Sequence, residues 1–188
     1  MLLLASTREK EETLLLNEIA VEKDLLVVVV PRHPQRFDEV APLAQSRRTR
    51  EPMPSPEHRV HLGDTMGEMP FYYAACDVAI IGGSFEPLGG QNLIEALAAG
   101  AAVVVGPSMF NFAEATRLAL EAGAAVQVAD AAAAVKQALA LVHDARARRH
   151  MSEAGRKLCQ KHRGATERHL ALIAAVTAGA AATAPARG

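Results

Sequence analysis

Two glycine pairs lie close together near the middle of the chain, in the segment from Gly82 to Glu95. Glycine permits positive φ angles and lets the backbone approach a ligand closely. A helix predicted over Gln91 to Ala99 would point its free N–H groups and its positive dipole end at this segment, which favours a bound phosphate. Glu95 would then be placed to accept hydrogen bonds from ribose hydroxyls. The segment predicts a nucleotide site; the alternative is two tight turns around a buried strand end.

An Arg-His pair follows an earlier predicted strand. Pro31 ends the aliphatic run from Leu25 to Val30, and Arg32 and His33 come directly after it. A guanidinium at the carboxyl end of a strand suits a phosphate or a sugar carboxylate. The alternative is a solvated turn.

A third polar segment runs from Asp64 to Pro70 after another short strand. Gly67 allows close backbone approach there, and backbone groups can bind the edge of a base. The alternative is a helix start that Asp64 or Thr65 caps.

Strands and helices alternate along the chain, with loops of a few residues between them. This alternation predicts an α/β fold, a Rossmann-like doubly wound and mostly parallel sheet. We expect one domain over residues 1–176 and a disordered tail over 177–188, which is rich in Ala, Gly and Pro. Ligands of such sheets bind beyond the carboxyl ends of the strands. The predicted strands are Leu2–Ala5, Leu25–Val30, Val60–Leu62, Val78–Ile81, Ala102–Val105 and Ala125–Val128.

Composition argues against several classes of function. A formal net charge of −1 over 188 residues gives no general attraction for nucleic acid. No signal peptide and no apolar run of about 20 residues is visible, so we expect a soluble domain. The seven histidines lack the spacing of metal ligands, and no paired carboxylates stand out as an acid/base dyad. We therefore predict no metal and no cofactor.

Taken in order, the segments resemble a known family. The chain is similar to the C-terminal domain of the 3-deoxy-D-manno-octulosonic acid (Kdo) transferases of lipopolysaccharide assembly, which have two Rossmann-like domains in the GT-B architecture. The resemblance covers almost the whole chain, and the ordered set is more specific than any one piece. It rests on Ser6-Thr7 with Glu11-Glu12, Pro31–Phe37, Gly63–Met69, Tyr73–Ala79, Gly82–Glu95, and Gly106-Pro107 with Asn111-Phe112.

The resemblance implies a donor and a set of contacts. The family transfers Kdo from CMP-Kdo onto lipid A precursor at the cytoplasmic face of the inner membrane. Histidine is usual in the family where this chain has Gln91, which cannot carry a proton, so we assign Gln91 no acid/base role. The implied CMP contacts are Pro31, Arg32, His33, Gly67, Glu68, Met69, Asn92, Leu93, Ile94 and Glu95, with Ser84, Gly89 and Gly90 near the phosphate and sugar.

In this family the catalytic base, the acceptor site and the membrane anchor belong to the N-terminal domain. We therefore expect no catalytic residue in this chain, no transferase activity from it alone, and contact with lipid A precursor and membrane only through the other domain. Two alternatives remain: a UDP-sugar-dependent GT-B transferase domain, and a non-catalytic nucleotide-binding module.

Overall fold

A computed structural model describes residues 1–19, 24–164 and 169–175 of the chain. The strands are β1 (Leu2–Thr7), β2 (Val27–Pro31), β3 (Ser46–Arg47), β4 (Val60–Leu62), β5 (Val78–Ile81), β6 (Ala102–Val105) and β7 (Ala125–Gln127). The helices are α1 (Glu11–Ile19), α2 (Phe37–Val40), α3 (Met69–Ala75), α4 (Ile94–Ala99), α5 (Ala113–Glu121), α6 (Ala131–His143) and α7 (Ala145–Lys161).

The strands form one sheet in the order β3-β4-β2-β1-β5-β6-β7, and every neighbouring pair is parallel. The prediction of a doubly wound parallel α/β sheet is confirmed. β1 lies between β2 and β5, so the chain changes direction across the sheet at β1, where such folds open a crevice for ligands.

Alternate residues of the strands enter two separate cores. Leu2 and Leu4 pack with α1 and α6 on one face, whereas Leu3 and Ala5 pack with α3, α4 and α5 on the other. All four side chains are fully buried. A strand covered on both faces needs apolar residues at every position, which is why the continuous aliphatic runs identified the strands correctly.

One predicted helix boundary was wrong. The helix expected from Gln91 begins only at Ile94, because the Asn92 Oδ1 accepts the Ile94 N–H and holds the preceding residues in a turn. After β7, α6 and α7 are separated at Asp144, whose carboxylate accepts the N–H groups of the first turn of α7. The predicted tail, residues 177–188, lies outside the described residues.

Among the helices that the structure describes, none combines the length and apolar character needed to cross a membrane.

Candidate functional site

The carboxyl ends of β4, β2, β1 and β5 lie side by side along one edge of the sheet. Each of the three polar segments singled out in the sequence follows one of these strands: Arg32 and His33 follow β2, the segment from Asp64 to Pro70 follows β4, and the glycine pairs follow β5. Because all the strands are parallel, their loops emerge on the same side. The fold therefore brings the three predicted segments to a single edge.

A side-chain hydrogen bond joins the loops after β2 and β5. Arg32 Nε donates to Gln91 Oε1 at 3.1 Å, and the Arg32 backbone N–H donates to Thr7 O at 2.9 Å. Pro31 is buried as the last residue of β2, whereas Arg32 is exposed and His33 is half-buried. The Arg32 guanidinium is thus held at the crevice between β2 and β5 and remains open to an anionic ligand.

The first glycine pair lies where β1 and β5 come closest. A Cβ on Gly82 would lie 2.6 Å from both Ser6 O and Thr7 Cα, which are backbone atoms. Gly82 O accepts the Gln91 N–H at 3.0 Å, and Gly83 O accepts the Gly90 N–H at 2.8 Å. These bonds close the glycine segment into a compact loop, which we call the glycine loop (Gly82–Gln91).

Three residues that the family resemblance places near phosphate and sugar are internal parts of this loop. Ser84 is fully buried; its Oγ donates to Ile81 O at 2.6 Å and accepts the Gly106 N–H at 2.8 Å. Gly89 and Gly90 are buried with positive φ, and a Cβ on either would overlap the side chain of Asn111 or Met109. Packing against the loop after β6 accounts for both glycines without a ligand, and contact of these residues with phosphate and sugar stays a prediction.

The start of α4 presents a polar pair at the edge. Asn92 Nδ2 donates to Glu95 Oε1 at 2.9 Å, and Asn92 also forms the turn that starts the helix. Glu95 and Ile94 are exposed, whereas Leu93 is fully buried in the core and offers only its backbone. The amide of Asn92 therefore fixes the direction of the Glu95 carboxylate, which remains open to hydroxyl donors.

Asp64 has a structural role rather than the capping role that the sequence suggested. Its buried carboxylate accepts Arg47 Nε at 2.6 Å, Thr49 N at 2.8 Å and Thr49 Oγ1 at 2.5 Å. Burial alone would raise the pKa of Asp64, but these hydrogen bonds outweigh it, so the pKa lies below its usual range. Asp64 thereby ties the end of β4 to the loop after β3, and α3 begins at Met69 without a side-chain cap.

Glu68 is engaged by its own neighbours. Arg48 donates to its two oxygens at 2.8 and 3.0 Å, and the Thr65 hydroxyl donates as well. The bonds from Arg48 and Thr65 lower the pKa of Glu68 to about 2. Gly67, by contrast, is exposed with φ +80°, and nothing lies within 4 Å of the position of a Cβ. In this segment the backbone around Gly67 is open to a ligand, whereas the half-buried Met69 side chain packs against the core.

Two carboxylates that the sequence analysis named only as part of the family resemblance are buried at the crevice. Glu11 and Glu12 open α1, and each is 1% exposed. Glu11 accepts backbone N–H groups of the glycine loop, and Glu12 pairs with Arg36 in the segment after β2. Acidic residues in a first helical turn normally indicate a solvated helix start. Only the position of these two residues, in the helix that follows β1, could have indicated a different role.

No group of three or more His, Cys, Asp or Glu side chains in the described part of the chain is placed to hold a metal ion. The edge offers cations, amides, carboxylates and free backbone groups. That set can bind a nucleotide by hydrogen bonds and charge.

Comparison with known proteins shows where similar chains occur. Residues 46–158 match the family "Glycosyl transferases group 1". The 3-deoxy-D-manno-octulosonic acid transferase of Bordetella pertussis is 53% identical over 68% of this chain and 33% of its own length; that of Haemophilus influenzae is 37% identical over 66% and 31%. The chain therefore spans about a third of the length of these relatives.

Two solved structures superpose on this chain. The C-terminal CMP-Kdo binding domain of WaaA from Acinetobacter baumannii superposes with a TM-score of 0.80 at 32% identity, over 85% of this chain and 88% of that one. HepE of Anabaena in complex with UDP gives a TM-score of 0.66 at 14% identity, over 94% of this chain and 48% of that one, which shows the shared fold.

Proposed function

The chain belongs to the group 1 glycosyl transferases and, among them, to the Kdo transferases, and on that premise we propose that it binds the nucleotide of CMP-Kdo for transfer of Kdo to lipid A precursor. The observation that carries this proposal is the meeting of three loops at one sheet edge, with the guanidinium of Arg32 and the carboxylate of Glu95 both exposed there. The solved relative at 32% identity is itself described as a CMP-Kdo binding domain.

Different residues bind the phosphate, the ribose and the base of the nucleotide. We assign the phosphate to Arg32, with His33 beside it, because a guanidinium forms charge-assisted hydrogen bonds with phosphate oxygens. The ribose hydroxyls donate to Glu95, which Asn92 orients. The cytosine lies against the backbone of Gly67, Glu68 and Met69, where polar backbone groups can distinguish its edge. Pro31, Leu93 and Ile94 shape these loops, and Ser84, Gly89 and Gly90 keep the glycine loop compact.

In the transfer itself these residues stabilise the leaving group. The sugar–phosphate bond breaks with negative charge left on CMP, and the positive charge of Arg32 opposes that build-up at the phosphate. Transfer also needs a base within hydrogen-bond reach of the acceptor hydroxyl. We expect the base, the acceptor site and the membrane contact to come from a second domain at the cytoplasmic face of the inner membrane, as the family resemblance implies.

A UDP-sugar donor is the second candidate. HepE binds UDP in the same fold, but at 14% identity that likeness carries the fold alone. The transferase relatives at 53% and 37% identity both have Kdo as their sugar, which favours the cytidine donor.

Replacing Glu95 with alanine tests the nucleotide site. Because Glu95 is exposed and bonded only to Asn92 among the described residues, we expect the melting temperature to stay at the wild-type value. Loss of hydrogen bonds to a charged acceptor should weaken CMP binding by about 1.5–3 kcal/mol, measured by calorimetry. Glu86→Ala is the matched control, since Glu86 is exposed in the glycine loop without an assigned contact and should bind as wild type. A folded Glu95→Ala protein with wild-type CMP affinity would contradict the proposal.

A further inference from the structure

Glu11 is a buried carboxylate whose hydrogen bonds come from the backbone. Its Oε2 accepts the N–H of Arg8 at 2.9 Å and of Gly83 at 2.7 Å, and its Oε1 accepts the N–H of Phe85 at 3.2 Å. No cation is paired with it among the described residues, although the side chain is 1% exposed. Removing a carboxylate from water is costly, so these three donors are the groups that compensate its charge.

The donors on Gly83 and Phe85 belong to the glycine loop, more than seventy residues away along the chain. Backbone N–H groups that converge in a glycine-rich turn form an anion-binding concavity. In this chain the concavity is filled from within by Glu11. A phosphate of the ligand is therefore excluded from these two N–H groups and is left to the Arg32 side of the crevice.

The neighbouring carboxylate, Glu12, bonds the segment that follows β2 on the other side of the crevice. Glu12 accepts Arg36 Nη1 at 2.6 Å and Nη2 at 3.0 Å in a two-pronged pair, and also accepts the Thr7 hydroxyl at 2.6 Å. Arg36 lies four residues after Arg32 in the segment that follows β2. The first turn of α1 is thus bonded to the segment after β2, which carries the proposed phosphate contact, and to the glycine loop, which leads into α4 and the proposed ribose contact.

We propose that Glu11 is a positioning residue of the nucleotide site: an internal anion that holds the glycine loop in place of a ligand phosphate. It acts through Gly83, whose carbonyl receives the Gly90 N–H, and so through the following Gln91 that bonds Arg32. The inference rests on the proposed function for its effect on nucleotide binding, but the holding of the loop is independent of it.

A carboxylate is needed because both oxygens accept. Glutamine would turn an NH₂ donor toward a backbone N–H. Alanine would leave the buried N–H of Gly83 and the part-buried N–H of Phe85 without this acceptor. A small carboxylate ion added from solution could refill the slot that alanine leaves.

The experiment compares Glu11→Ala with wild type in sodium formate and in sodium chloride of equal ionic strength. We expect a lower melting temperature for Glu11→Ala, raised by formate beyond the effect of chloride, with no such difference for wild type. For the folded variant we expect CMP binding to weaken roughly tenfold or more, as for a lost hydrogen bond to a charged group, and to recover in formate. The matched control is Glu9→Ala, whose side chain is exposed two residues earlier and which should match wild type throughout.

The outcomes distinguish failure of the Glu11 proposal from failure of the proposed function. A folded Glu11→Ala protein with wild-type CMP affinity, or with no response to formate beyond that to chloride, would overturn the proposal. If Glu11→Ala does not fold even in formate, Glu11→Asp decides, because it keeps the charge but shortens the reach by one methylene: weaker CMP binding supports positioning, and unchanged binding overturns it. If wild type itself fails to bind CMP, the proposed function fails, while the effect of formate on the melting temperature still reports whether Glu11 holds the loop.

Discussion

Replacing Arg36 with leucine is expected to remove about 3–5 kcal/mol from the free energy of unfolding, because it leaves the buried Glu12 carboxylate without its cation. Glu12 and Arg36 have side-chain exposures of 1% and 7%, and both guanidinium Nη atoms bond the carboxylate. Burial alone would lower the pKa of Arg36, but the hydrogen bonds that Arg36 donates to Glu12 and Glu39 outweigh it and raise the pKa. Without the guanidinium, Glu12 keeps only the Thr7 hydroxyl among its observed partners.

Urea denaturation followed by circular dichroism measures the loss. Arg117→Leu is the control: Arg117 also pairs with two carboxylates, Glu114 and Glu121, but it is 52% exposed, so we expect a loss of at most about 1 kcal/mol. The double variant Glu12→Gln/Arg36→Leu, which removes both charges, should recover part of the stability lost in Arg36→Leu. Equal losses for Arg36→Leu and Arg117→Leu would contradict the buried pair.

Gly82→Ala is expected to give the second large loss, about 1–3 kcal/mol, the usual cost of overpacking a tight contact. The added methyl would lie 2.6 Å from Ser6 O and Thr7 Cα, so the backbone of β1 or β5 must move. Gly67→Ala is the matched control: it has free space but positive φ, so only conformational strain of about 1 kcal/mol applies.

The same denaturation assay compares the two glycine variants. A Gly82→Ala loss no larger than that of Gly67→Ala would show that β1 and β5 are not in tight contact at the crevice.

The strands of the central sheet were predictable because burial on both faces leaves a strong sequence signal. Val78–Ile81 and Ala102–Val105 are fully or almost fully buried and purely aliphatic, and both were assigned within the correct bounds. The two-residue strand β3 carries no such run; it is held at the edge by pairing with β4 and by the bond from Arg47 to Asp64. A contact between residues 17 apart has no local signature.

The candidate site was predictable in its loops but not in its internal support. The sequence placed Arg32 directly after a strand and Glu95 in the helix that follows the glycine pairs, and the sheet brings both segments to one edge. It could not reveal that the Ser84 hydroxyl bonds both Ile81 O and the Gly106 N–H, because the bond to Gly106 depends on the packing of β5 against β6. Nor could it reveal that Glu11 points inward, since a carboxylate in a first helical turn usually faces water.

The most direct test of the central claim is a calorimetric titration of the chain with CMP and with UMP under the same conditions. The two bases differ at position 4, where cytosine has an amino donor and uracil a carbonyl acceptor, so a polar group matched to one is left unpaired with the other. We predict saturable CMP binding that is clearly tighter than UMP binding and that Arg32→Ala weakens for both nucleotides. Equal affinity for CMP and UMP, or no binding of either, would contradict a cytidine nucleotide site at this edge of the sheet.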